Sequence, residues 1–266
     1  MSNFLRRVIV LNTKGGCGKT TVATNIASVY ASAGYKTALI DQDPQGSSIQ
    51  WLRSRPVNLP AIQGVAMHEA SRMPLAGAWQ LRIPRDTERV VVDTPAGVRG
   101  LDLVGRITAQ DWLLFPIQPS AMDIRASSDF IREVLMTAKL RAQDGRMAFI
   151  GNRTRPRSAA LQVLENFLQS TQIPVLAYLR ESQYYANAGE RGLGVSELPA
   201  LQARADRAHW LTIAQWLEAD GKGTRALVPE AKPVLAKAAV KPVPAFLTTG
   251  WDATRNDDAN DPKDFH

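Results

Sequence analysis

The nine residues Thr13–Thr21, TKGGCGKTT, constrain this chain more than any other stretch. They follow a short β-branched run, RRVIVLN, and open a segment, KTTVATNIASVYASAG, with apolar residues at helical spacing up to Gly34, a C-cap by position. A glycine loop between a strand and a helix turns several backbone N–H groups toward one point, and the helix N-terminus adds partial positive charge there. This is a cradle for phosphate. Lys19 is placed to reach the β- and γ-phosphates of a nucleotide, and the Thr20 hydroxyl to bind Mg²⁺. The general pattern asks for a glycine five residues before Gly18, where this chain has Thr13; its glycines sit instead at Gly15 and Gly16, behind a second lysine, Lys14. A run of the form KGGxGKT arises by chance on the order of 10⁻⁷ per position, so a plain glycine turn with a solvated lysine is a poor account of it.

The remaining apolar runs set the fold class. KTALIDQD, RVVVDTPAG, DWLLFPIQ, RMAFIGNR and PVLAYL read as buried strands, and three of them end in aspartate or asparagine and a turn. Helical patterns lie between most of them, clearest over Asp123–Ala142 and Ser158–Ser170. A last amphipathic helix, about Ala203–Ala219, carries Trp210, Leu211, Ile213, Ala214 and Leu217. Continuous apolar strands alternating with helices predict an α/β, doubly wound, mostly parallel sheet with helices on both faces, of the P-loop NTPase type. Ligands of such sheets bind beyond the carboxyl ends of the strands, where the aspartates and glycines cluster. The segment Ile62–Pro84 is expected to add one strand and one helix. After Asp220 the chain turns Pro-, Ala- and Lys-rich and then acidic, so residues 1–219 read as the folded domain and 220–266 as a disordered tail, either a recognition element or a linker.

Composition narrows the setting. One cysteine, Cys17, excludes a disulfide framework and a zinc knuckle and fits a reducing cytoplasm. The opening MSNFLRRVIVLN has no signal-peptide pattern, and no run has the length of a transmembrane helix. His68, His209 and His266 are too scattered to suggest a metal cluster. The net charge of +7 points to an anionic partner. The tail from Ala219 has seven basic and seven acidic residues, so the excess belongs to the folded part. Between Arg141 and Arg207 stand nine arginines, no lysine and six acids. Arg153, Arg155 and Arg157 cluster without an acid, and Arg180, Arg191, Arg204 and Arg207 follow in the region that carries DNA-contacting arginines in the family resembled below; that resemblance makes them candidates for phosphate contacts to DNA, with Arg180 the strongest, and a solvated or ion-paired face is the alternative.

KGGxGKTT resembles the deviant Walker A motif of the ParA/MinD superfamily of ATPases, and the resemblance extends over roughly residues 7–217. It implies that Gly15, Gly16, Cys17, Gly18, Lys19, Thr20 and Thr21 hold ATP. It also implies that Lys14 is the signature lysine, which crosses to the phosphates of a second subunit in a homodimer sandwiching two ATP, as an arginine finger in trans does. DQDPQG, with Asp41 and Asp43, resembles the second phosphate motif: Asp43 is implied to position the attacking water and Asp41 to support the Mg²⁺ shell. VVVDTPAG resembles the Walker B strand, with Asp93 holding Mg²⁺ through water and Thr94–Gly97 as the γ-phosphate switch. Asn152 in FIGNR either contacts adenine, as in relatives, or forms a turn. LFPIQPS, Leu114–Ser120, matches a stretch leading to a long helix near the dimer interface.

Within that superfamily several branches are disfavoured. Nitrogenase iron protein needs two cysteines per subunit, arsenite-pump ATPases have two phosphate loops, and four prolines in VPEAKPVLAKAAVKPVPAF break the membrane helix that MinD carries. The first strand begins within about eight residues, so an N-terminal helix-turn-helix domain is not expected. A short ParA-type ATPase remains, implying a cytoplasmic, nucleoid-associated protein that binds double-stranded DNA without sequence preference and has no membrane partner. A cargo adaptor protein is implied to stimulate its hydrolysis. Relatives of this size position plasmids, chromosomes, chemoreceptor clusters or, in the McdA type, carboxysomes. A MinD-like membrane regulator and a dethiobiotin-synthase-like enzyme are the competing readings.

Overall fold

Strand β1, Arg6–Val10, stands in the middle of a seven-stranded sheet and sends alternate side chains to opposite faces. Val8 and Val10 enter one apolar cluster, Ile9 and Leu11 the other. The molecule is described by a computed structural model covering residues 5–67, 82–104, 106–137 and 144–219. All of these lie in the first of two units into which the chain divides, Met1–Glu230.

The other strands are β2 (Thr37–Asp41), β3 (Ile62–Ala66), β4 (Arg89–Asp93), β5 (Trp112–Ile117), β6 (Met147–Thr154) and β7 (Val175–Arg180). Their order is β3-β2-β4-β1-β5-β6-β7 and every pairing is parallel. Strands β2, β4 and β5 are buried along their whole length, which is why their sequences are continuous apolar runs rather than alternating ones. The helices are α1 (Lys19–Ser32), α2 (Ser47–Arg53), α3 (Leu101–Val104), α4 (Ala121–Thr137), α5 (Ala159–Gln169), α6 (Gln183–Glu190) and α7 (Ala200–Leu217). Helices α1 and α7 supply the Val8/Val10 cluster through residues such as Val22, Ile26, Trp210 and Ile213. Helices α4 and α5 supply the opposite cluster through Phe130, Val134, Leu164 and Leu168. The doubly wound expectation is met, with a sheet that is wholly parallel among the described residues.

Expected boundaries shift by a few residues. The helix expected over Ser158–Ser170 runs Ala159–Gln169, with Ser158 as the N-cap accepting from Leu161 N. The last helix starts at Ala200 and ends at Leu217, and the first ends at Ser32. Of the segment Ile62–Pro84, β3 accounts for the expected strand; residues 68–81, where the helix was expected, lie outside the described residues, as does the tail 220–266.

A buried charge network, absent from the sequence reading, closes the amino-terminal side of the sheet. Glu218, at the C-cap of α7, accepts from Arg89 Nε at 2.9 Å and Arg89 Nη2 at 2.8 Å, and pairs with Arg6 at 3.2 Å. Arg89 stacks over Tyr35 at 4.1 Å, and Arg6 lies over Trp112 at 5.2 Å. All three charged side chains are essentially inaccessible to water, so each depends on the others to offset its desolvation.

Candidate functional site: the carboxyl end of the central strands

The loop after β1 turns through two glycines with positive φ, Gly16 at 75° and Gly18 at 101°. At Gly18 glycine is required twice over. Its backbone is left-handed, and a Cβ there would stand 2.0 Å from Asn152 Nδ2. The loop is anchored from several elements. Asn152, at the end of β6, donates to the Cys17 carbonyl at 2.8 Å, and Gln118, after β5, donates to the Gly16 carbonyl at 2.8 Å. Asn12 ties the end of β1 to the Pro116 carbonyl at 2.7 Å and accepts from Lys14 N at 3.1 Å. Cys17 is buried, and burial pushes its thiol up, so it serves the loop through its backbone. Thr20 and Thr21 lie in the first turn of α1, half-buried. Lys19, also in that turn, is 7% exposed and donates to the Lys14 carbonyl at 3.1 Å, across the mouth of the cradle.

The aspartates arrive by register. Asp41 and Asp93 are paired positions at the ends of β2 and β4, and Asp93 is level with Val10 on β1, just before the loop. Both are fully buried. Their employment differs. Asp41 Oδ1 accepts from Asp43 N at 3.0 Å, while Oδ2 accepts from Ser48 N at 3.0 Å and Ile49 N at 3.1 Å. Three backbone donors occupy most of a carboxylate's acceptor capacity. Asp41 thus ties the start of α2 to the loop that presents Asp43. Asp43 is half-buried and its Oδ1 accepts from Gln45 N at 3.0 Å.

Asp93 is the opposite case: neither carboxylate oxygen meets a donor at hydrogen-bonding geometry among the described residues. Burial pushes its carboxyl up to about 7; the nearby Thr20 hydroxyl and Lys19 pull it down, while Asp41 and Asp43 add to the rise. A buried, bare carboxylate beside a Walker-type threonine is what a divalent cation would compensate. No group of three or more His, Cys, Asp or Glu among the described residues could hold such a cation alone. Thr20 and Asp93 therefore fit Mg²⁺ only as part of a shell completed by phosphate oxygens and water.

The loop implied to act as the γ-phosphate switch follows. Thr94 donates to the Val10 carbonyl at 2.7 Å, and Gly97 N donates to the Thr13 carbonyl at 2.9 Å, so the loop after β4 lies directly on the phosphate loop. Arg106 Nη1 bonds Gln42 Oε1 at 2.6 Å, joining the segment beyond the switch to the Asp43 loop. Lys14, half-buried, forms an ion pair with Asp123 in the first turn of α4. Sequence reasoning passed over Asp123 except as a helix start; an acid in the first turn after LFPIQPS was the available signal.

The seven arginines do not form one set. Arg180, the preferred DNA contact by sequence, is engaged with fully buried Asp206 on α7 through Nη2 at 2.8 Å and Nε at 3.2 Å, and stacks on Tyr184. Arg155 pairs with Glu181 at 2.6 Å, and Arg207 donates to the Leu198 carbonyl at 2.8 Å. Arg153, Arg157, Arg191 and Arg204 are exposed and have no ion pair among the described residues. Arg153 and Arg157 also carry positive φ, at 51° and 61°, in the loop between β6 and α5.

A parallel sheet with a glycine loop leaving its central strand, a lysine opening the helix that follows and carboxylates at the ends of β4 and β2 defines a P-loop nucleotide hydrolase. A family model described as the CobQ/CobB/MinD/ParA nucleotide binding domain matches residues 8–195; the chain belongs to that family and is a P-loop ATPase. It is 31% identical over 209 residues to the maintenance of carboxysome distribution protein A of Halothiobacillus neapolitanus, covering 75% of this chain and 90% of the relative. It is 30% identical over 221 residues to the protein of the same name from Gloeobacter kilaueensis, covering 82% and 97%. The fold matches the ATP complex of a Cyanothece McdA variant with a TM-score of 0.59 at 18% identity, over 81% of this chain and 97% of the other.

Proposed function

We propose that this chain is a nucleoid-associated positioning ATPase. ATP closes two copies into a dimer that sandwiches two nucleotides. The dimer holds duplex DNA without sequence preference, and an adaptor protein on the cargo stimulates hydrolysis and release. The observation that carries the reading is the pair of lysines on one loop. Lys19 lies across the cradle and serves the phosphates of its own chain, while Lys14 is engaged with Asp123 on α4 and is the lysine left to serve a neighbour once released. The two relatives named for carboxysome distribution favour a carboxysome, or a protein assembly of that kind, as the cargo over a plasmid or chromosome.

In this reading Gly15–Thr21 wrap the phosphates, and Asp43, held by Asp41, orients the attacking water at the γ-phosphate. Mg²⁺ on Thr20 and Asp93 neutralises phosphate charge when bound. Asn152 braces the phosphate loop through Cys17; a contact with adenine would be additional. Phosphate contacts to DNA fall to Arg153, Arg157, Arg191 and Arg204, while Arg180 is a tether of α7. No helix among the described residues is long and apolar enough to cross a membrane.

The test is a mobility shift of random duplex DNA with ATP, ADP and no nucleotide across a salt series. ATP-selective binding that weakens steeply with salt is expected. Equal binding in all three states would reject the reading. Binding to anionic vesicles instead of DNA would favour a membrane regulator.

A further inference from the structure

The ion pair between Lys14 and Asp123 joins the phosphate loop to the first turn of α4 within one chain, and the function proposed above gives Asp123 no role. Asp123 is 1% exposed, and neither carboxylate oxygen accepts a hydrogen bond among the described residues. The comparison within the same fold is direct. Buried Asp111 accepts from Arg7 Nε at 2.7 Å, from Thr108 N at 2.6 Å and from the Thr108 hydroxyl at 3.0 Å, and buried Asp41 accepts from three backbone N–H groups. Asp123 has the amino-terminal end of α4 and one cation, Lys14, whose side chain is 38% exposed. Removing that cation leaves a buried carboxylate without a compensating partner, a costly state. One ammonium also cannot sit on its own Asp123 and on the phosphates of a second subunit.

We propose that Asp123 is a positioning residue for Lys14. It holds the ammonium on its own subunit until the terminal phosphate of a neighbour's nucleotide, with more charge than one carboxylate, draws it away. Asp123 thereby sets the threshold at which two copies close and biases closure toward ATP over ADP. This rests on the reading that Lys14 acts in trans on ATP.

The experiment uses the full chain in an Asp43→Ala background, so that hydrolysis does not dissolve the dimer. Sedimentation velocity gives the protein concentration at half-dimerisation with Mg-ATP. Adding Asp123→Asn is expected to lower that midpoint by about tenfold, because the resting state loses the ion pair that opposes closure. An unchanged or raised midpoint overturns the proposal, a raised one meaning that Asp123 receives the neighbour's lysine instead. Absence of an ATP-dependent dimer in the Asp43→Ala parent rejects the underlying reading. Melting and ATP affinity verify each variant. If Asp123→Asn does not fold, Asp123→Ser carries the same expectation, and failure of both to fold makes Asp123 a structural residue and ends the proposal.

Discussion

Asp43 and Asp93 stand on neighbouring loops, and their environments assign them different work. Asp43 is half-buried with an oxygen to spare, suited to orienting water. Asp43→Ala is expected to keep ATP affinity within a few-fold and to slow turnover by roughly 10²-fold or more, measured by phosphate release. Wild-type turnover in this variant would remove Asp43 from the mechanism. Asp93 gives a pH prediction. Its carboxyl is pushed from 3.8 to about 7 in the folded chain, so folding takes up a proton between those values. Stability from this source is full below the lower value and is lost as pH rises through the upper one, by about 4 kcal/mol in total. Denaturant titrations of nucleotide-free protein at pH 5 and pH 8 are expected to show a larger loss for wild type than for Asp93→Asn. Parallel losses would contradict it. Both aspartates were legible in the sequence because each closes a contiguous strand motif. Asp123 was not, because its meaning depends on a lysine 109 residues away in sequence.

At the scale of elements, the sequence was informative where a strand or helix was long and buried, and silent where a partner lay on another element. Helix α2, seven residues of SSIQWLR, is too short for a periodic signal and owes its start to Asp41, six positions earlier on β2. The Arg180–Asp206 pair left no trace in the sequence reading, because local basic density shows in sequence and a buried carboxylate does not; Asp206 lies on α7 and is fully buried. The Arg6–Arg89–Glu218 network joins β1, β4 and the end of α7 across more than a hundred residues and leaves no local trace. Truncating its acid leaves two buried guanidinium groups without that counter-charge. Glu218→Ala is expected to cost about 3–5 kcal/mol of folding stability with little change in ATP affinity. A change below about 1 kcal/mol would show that the arginines find other partners.

Across the whole molecule, the nucleotide site and the loop that carries Arg153 and Arg157 share the carboxyl side of the sheet: Arg153 follows Asn152, whose side chain touches the phosphate loop. Replacing both Arg153 and Arg157 by Ala is expected to reduce the salt slope of ATP-dependent DNA binding by roughly 2, at unchanged ATPase activity without DNA. An unaltered slope would move the DNA surface elsewhere. The central claim is that each site is completed by the other subunit's Lys14, and complementation tests it most directly. Lys14→Ala lacks the lysine it would lend, and Asp43→Ala lacks the acid it needs for itself. Each alone is expected to be nearly inactive in phosphate release. Mixed in equal amounts, half the dimers are heterodimers with one complete site, which predicts recovery of roughly a quarter of wild-type turnover. No recovery, with heterodimers confirmed in the same sample, would place Lys14 in its own subunit's site and contradict the account.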